Sequence, residues 1–472
     1  MPISIDYLPY PTPLDPSEDP ADSIDPLGLT TPAEYLANLL VPGFTVRTWR
    51  ARMITFDAVA AHVASGVVKR MNDREDVRVP ARLIFERLYV SSVARAEKKN
   101  PEEILAARRT LPGIGLARAA LSRNEPLSKN NFLKGQAVNG MVGVTTRLAK
   151  NMDVLTSDMR AGRASLDLLQ EWAYDEQLLG VLEFDSPTQS DGSVWVNDVI
   201  QAIIDNLSKK PWPRDGSAIW DKILTHLRLD KIGKREKDFL QRLLERDASR
   251  KCLFEVLRKP NVLSISQKSN GERGQQERAV LTEGVMKNLG NEVIDEQVRI
   301  VIEAIECYEH ASALMTQGFE SLLWGLKNKG RLEPADLLLV SQVDKRLKET
   351  IKQIPLAKKE LDTSIRKLGK LSGTTLVIDS LEKLSGDMNT CVGSTDGFLN
   401  SLMGRHEKVQ KDKRKGVWID RAQTLTLLPG FGVDGDGPPI RVGTYLHPFR
   451  ITNSYSFLAD LGLVKWKASN ED

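Results

Sequence analysis

Residues that usually carry recognisable chemistry are scarce in this chain. Its 472 residues include three cysteines, Cys252, Cys307 and Cys391, which lie far apart and form no CxxC pair. That spacing argues against a disulfide framework or zinc knuckle and fits a reducing cytoplasm. The five histidines, His62, His226, His310, His406 and His447, form no HxxxH or HExxH and pair with no cysteine. Metal catalysis therefore has no anchor. Neither GxSxG nor a Walker A motif occurs, so hydrolase and NTPase chemistry have none either. No catalytic residue, metal or cofactor is expected, and the reading leans away from an enzyme. No stretch approaches the roughly twenty uncharged apolar residues of a membrane span. The opening MPISIDYLPYPTP has neither the positive start nor the apolar run of a signal peptide. A cytoplasmic protein without membrane contact is the expectation.

Alternating strand patterns are also rare. Leu, Ile and Val recur instead at spacings of three and four, which predicts a mainly α, multi-domain protein. Charge is unevenly spread although the net charge is only +3. Residues 1–44 hold seven acids and no Lys or Arg, whereas residues 45–150 hold twenty Lys or Arg against nine Asp or Glu. A basic region beside an acidic tail suits a polyanion-binding surface, and solvated helix faces would give the same count.

Five segments are expected. Residues 1–30 form an acidic, Pro-rich tail, with seven prolines before residue 28 and too little apolar area to offset its ordering entropy. Residues 31–185 form a basic helical domain with hairpin and winged-helix-like elements. Residues 186–265 form a helical domain, and 277–415 a long helical bundle or coiled-coil arm. Residues 416–472 form a small α+β module. Within the arm, Leu347, Ile351, Ile354, Lys358, Leu361, Ile365 and Leu368 alternate in steps of four and three, a heptad seam with one charged member and a kink at Pro355. Two long antiparallel helices with the helix 377–411 packed nearby fit this pattern.

The sharpest local signal runs from Glu103 to Leu121, with Leu111-Pro112-Gly113-Ile114-Gly115 at its centre and Ala119 beyond. Two glycines permit a tight turn and close approach of a ligand to the backbone. The N–H groups of Gly113, Gly115 and Leu116 then lie at a helix start, where phosphate is favoured. Arg108, Arg109, Arg118 and Arg123 add positive charge. The stretch resembles the helix-hairpin-helix motif of DNA-repair and recombination proteins. That resemblance implies contact with a nucleic-acid backbone that does not read sequence. A plain glycine-containing loop between two helices is the alternative.

Directly after it, Asn130–Val138 predicts a helix, Asn139-Gly140 a turn, and Gly143–Met152 a second helix leading into Val154-Leu155. This resembles a recognition helix entering a wing. Gln136, Asn139, Thr145, Thr146, Arg147 and Lys150 would then face DNA. Many helix pairs share the pattern and serve protein contacts. Arg47, Arg50 and Arg52 alternate around Trp49, an arrangement that can grip phosphates or pair with acids of a neighbouring helix.

Other motifs fail on context. Gly430-Phe-Gly432-Val-Asp-Gly435 matches GxGxxG, but Asp434, Asp436, Pro438 and Pro439 repel phosphate and stop the helix that must follow. Asp379, Glu382 and Lys383 are the nearest approach to a metal-dependent nuclease and sit in a helical pattern. His447-Pro-Phe-Arg450 reads as a structural corner. Pro42–Thr48, Asn131–Gly140 and His447–Arg450 together resemble uncharacterised prokaryotic proteins of phage-defence neighbourhoods, encoded beside helicases or nucleases. That resemblance implies an antiviral-defence setting and such an enzyme as partner. The leading expectation is a non-enzymatic, DNA-associating accessory protein. A scaffold or regulator without nucleic-acid contact is the rival, and an undetected nuclease the third reading.

Overall fold

The computed structural model describes residues 25–108, 111–184, 190–268, 272–330, 333–391, 393–421 and 424–466. Most of the expected acidic tail lies outside these residues. Its last part is packed: Asp25 accepts from the N–H groups of Leu29 (2.6 Å) and Thr30 (3.2 Å), and Leu27 and Leu29 are buried. The described residues are mainly helical, with one two-stranded antiparallel pair, Ile419–Asp420 with Thr426–Leu427.

The chain divides into two compact units. One comprises residues 25–39 and 272–449, and the other 40–268 and 450–466. Residues 40–184 and 190–268 thus share one body, whereas the sequence suggested a boundary near 185. The C-terminal sixty residues are split between the units at Phe449 and Arg450.

In the unit spanning 40–268, the helix Arg52–Arg70 is buried along nearly its whole length. It is rich in alanine and valine on every side, which is the composition of a helix that has no solvent face. Gly66 allows close approach of a neighbour: a Cβ there would lie 2.4 Å from Ile200 of the helix Asp191–Leu207. The helix Arg78–Lys99 packs beside it. The stretch 234–257 forms two helices, Lys234–Leu244 and Ala248–Leu257, because Asp247 caps the second by accepting from the Arg250 N–H (2.9 Å).

In the other unit the long helices Val293–Lys329 and Ser341–Leu368 pack as an antiparallel pair, and the helices Thr375–Asn389 and Thr395–Asp412 pack against them. The start of the first long helix is fixed by a capping box between Glu292 and Asp295. Upstream, Arg273–Ala279 passes into a π-helical turn, Val280–Val285, so the long helix expected from residue 277 begins sixteen residues later. The second long helix runs on through Pro355, whose side lies exposed. Its buried seam is Val343, Leu347, Thr350, Ile354, Ala357, Leu361, Ser364 and Leu368, with Ile365 also buried. Ile351 and Lys358 are only half-buried, and Lys358 pairs with Asp362 at 2.6 Å. The small residues sit inside because they let the two long helices approach. Thr350 accepts from Gln317 Nε2 at 2.8 Å, and Gly325 leaves room for Val343 and Leu337.

Candidate nucleic-acid interface

The hairpin region forms two helices, Pro101–Arg108 and Ile114–Ser122. Gly113 stands between them with φ +79°, a conformation that favours glycine. The glycine is also required sterically, because a Cβ would lie 2.3 Å from the Phe132 ring. The turn is therefore packed against Phe132 and Leu133 on that side, while Gly115 faces open space. Arg118 pairs with Glu97 (2.9 Å) and Arg123 with Glu125 (3.0 Å). Arg109 and the Arg108 side chain lie outside the described residues. The arginines expected to draw a phosphate to this turn are thus, where described, engaged with carboxylates.

The following stretch departs further from the pattern. In place of two helices it forms three short turns, Gln136–Asn139, Met141–Val144 and Thr146–Asn151, interrupted at Gly140 and Thr145. Where a wing was expected, one isolated bridge joins Leu155 to Ala161. Gln136 and Thr145 point inward and present nothing to a groove. Gln136 accepts from Arg87 Nη1 (2.8 Å) and donates to the Leu83 carbonyl (2.9 Å). The Thr145 hydroxyl donates to Asp57 Oδ2 at 2.5 Å and is fully buried. The reason is geometric: short turns lying on the buried helices 52–70 and 78–99 must direct part of every turn into the core.

Asn139, Arg147 and Lys150 reach the surface. Asn139 accepts from Arg47 Nη1 at 2.8 Å and donates to the Lys134 carbonyl at 2.9 Å. Arg147 is exposed, and Lys150 donates to the Ser157 carbonyl (3.0 Å). The segment 43–48 lies against the same turns, since the Thr45 and Thr48 hydroxyls both donate to the Val144 carbonyl (3.3 Å). The fold thus brings Arg47 to Asn139, 92 residues distant in sequence. From Pro126 to Met152 the chain contains no Asp or Glu and four basic residues, Lys129, Lys134, Arg147 and Lys150. Among the described residues, Lys129, Lys134 and Arg147 are exposed and make no ion pair. Lys129 and Lys134 were not singled out by motif, although the acid-free run that holds them is legible in the sequence.

Much of the remaining basic surplus is consumed internally. Arg50 pairs with Asp460 (3.0 Å) and Arg95 with Asp215 (2.7 Å). Arg52 is buried between Glu176 and Glu236, 3.3 Å from the latter, and donates to the carbonyls of His226 and Arg228 (3.0 Å each). Of the cluster around Trp49, only Arg47 is exposed.

Beneath the three turns lies a buried polar layer. Asp57 pairs with Arg82 at 3.1 Å, and burial raises its carboxyl to about 6 against the opposing pull of Arg82 and Thr145. Glu86 is fully buried and accepts the Met141 N–H at 2.8 Å. Burial pushes it up to about 7, opposed by that N–H and reinforced by the nearby Asp57.

In the other unit, His447 has a structural partner. His447 Nδ1 lies 2.7 Å from Glu309, which also accepts from the Leu446 N–H, and Glu277 accepts from the Phe449 N–H, both at 2.5 Å. Asp379, Glu382 and Lys383 lie on the helix Thr375–Asn389, and among the described residues no three His, Cys, Asp or Glu side chains are grouped to hold a metal. No helix among them is long and apolar enough to cross a membrane. Comparison with family models, with curated proteins and with solved structures found no match to the chain.

Proposed function

We propose that this chain is a non-enzymatic accessory protein that associates with DNA by its phosphate backbone. The contact is the face carried by residues 126–152 with Arg47. The observation that supports it is the acid-free run in which Lys129, Lys134 and Arg147 stand exposed without an ion pair while the neighbouring Arg118 and Arg123 are neutralised. An array of mobile cations on turns of backbone holds phosphate without a base-reading helix, so binding is insensitive to sequence. The helix-hairpin-helix resemblance adds only the open side of Gly115 to this surface.

The test is affinity for a random-sequence duplex at several salt concentrations. Counterion release gives a linear fall of log affinity with log salt, with a slope near −0.9 per phosphate neutralised. The combination Lys134→Glu with Arg147→Glu weakens binding by about tenfold or more, whereas Arg118→Ala has little effect. Absence of binding at low salt overturns the reading.

A second reading, a docking scaffold for a protein partner, draws on the helical arm. Leu356 on Ser341–Leu368 and Leu376 on Thr375–Asn389 are 56% and 64% exposed. Exposed single leucines are common on protein surfaces, so this support is the weaker of the two.

A further inference from the structure

The three turns that carry the basic face contain little helix of their own. None exceeds six residues, so the turns cannot be stable by local hydrogen bonding alone. Their positions are set from beneath by three polar side chains and one backbone carbonyl. Glu86 receives the Met141 N–H, Arg87 donates to Gln136, the Leu83 carbonyl receives the Gln136 amide, and Asp57 receives the Thr145 hydroxyl. Glu86 and Arg87 are each left with one buried polar atom unpaired among the described residues. The Glu86 Oε1 takes the Met141 N–H, and its Oε2 is buried without a hydrogen-bond partner among the described residues. Gly140 presses directly on Glu86, since a Cβ there would lie 2.2 Å from Oε1.

The charged groups around Glu86 do not overcome the effect of its burial. Asp57, from the helix 52–70, has the same sign and is itself paired with Arg82. Arg87, the next residue on its own helix, is attracted to Glu86, but its guanidinium donates to Gln136 rather than to the carboxylate. The turns contribute the Met141 N–H, the Gln136 amide and the Thr145 hydroxyl, none of them charged. A carboxylate in this position is a buried charge held by neutral donors only, the Met141 and Val142 N–H groups and the Gln136 amide, which oppose its desolvation without overcoming it. A neutral carboxyl keeps the bond to Met141 and removes the charge.

We propose that Glu86 is a positioning residue that ties the grip of the basic face to pH: the turns 136–151 are seated when Glu86 is neutral and loosen when it is ionised. This rests on the DNA-backbone reading of the face. The direction follows from linkage. A carboxyl raised in the folded state makes stability fall as pH rises from the unfolded value of 4.5 to about 7, and level off above. Asp57 acts in the same direction between 3.8 and about 6. The face itself has no histidine, the side chain that ordinarily changes charge in this window. Loss of binding between slightly acid and slightly alkaline pH therefore cannot come from the contact residues.

The experiment measures affinity of the full chain for a random-sequence duplex at about pH 6 and about pH 8, at constant ionic strength, for the natural chain and Glu86→Gln. The natural chain loses several-fold in affinity at the higher pH, and Glu86→Gln binds equally at both. A flat natural profile, or a variant that tracks the natural chain, overturns the proposal. Amide exchange at Met141, corrected for the intrinsic rate, provides a second readout independent of DNA. Its protection falls at the higher pH in the natural chain and is retained in Glu86→Gln. Absence of duplex binding at either pH overturns the DNA reading. Unchanged protection at Met141 overturns the role of Glu86 itself.

Discussion

The seam of the long helices and the interior around the helix 52–70 are built on different terms. In the arm, the seam of the helix 341–368 is made of leucine, isoleucine and valine alternating with alanine, serine and threonine. In the unit around the helix 52–70, the interior also holds Arg52, Asp57, Arg82, Glu86, Arg87, Glu236 and Arg250. An apolar seam gains from area removed from water and from close packing. A buried charge layer repays its desolvation only where each member finds a partner. The first kind of interior is specified by neighbours three and four residues away. The second is specified by partners far off in the chain: Arg50 is 410 positions from Asp460, and Arg52 is 124 from Glu176. The difference teaches where a charge count is informative. A basic surplus marks a binding face only after the internal pairs have been subtracted.

Substitutions in the two interiors sharpen this contrast. The largest effect is expected for Arg52→Ala, which leaves Glu236 buried beside Glu176 with no counter-charge. Denaturant unfolding at neutral pH should show a loss of about 3–5 kcal/mol, the usual cost of stranding a buried charge. A loss below about 1 kcal/mol would place Arg52 among surface pairs and erase the contrast. Next comes Ser364→Leu, which inserts bulk into a seam closed by small residues. It should cost about 1–3 kcal/mol, and a neutral or stabilising result would show that the long helices do not approach closely there. The smallest effect is expected for Lys358→Ala. Lys358 occupies a seam position by sequence but lies at the edge of the packed face, so the change should stay within about 0.5 kcal/mol.

The arm was the most legible part of the fold. Leu347, Ile354, Leu361 and Leu368 are buried as their spacing requires. The intervening members were misplaced by one residue: Thr350, Ala357 and Ser364 face inward instead of Ile351, Lys358 and Ile365, although Ile365 is buried as well. A pattern of large apolar residues cannot reveal that a partner helix comes close enough to prefer small ones. The candidate face was legible in a different way. Arg147, Lys150 and Asn139 do reach the surface, but Gln136 and Thr145, equally polar, are core residues. Polarity alone does not distinguish a side chain that meets solvent from one that meets a buried Arg87 or Asp57.

The sequence by itself determined the helical class, the long arm and the acid-free run at 126–152. Each depends on residue type at short spacing, which acts locally on the backbone or on surface charge. Tertiary structure alone decided that the arginines at 50, 52 and 95 are spent on distant carboxylates, and that Arg47 joins the turns at Asn139. It also decided that Glu86 lies beneath Met141 with one oxygen unpaired. These are meetings of residues far apart in the chain, fixed by how the helices pack and by which charges can be desolvated only in company.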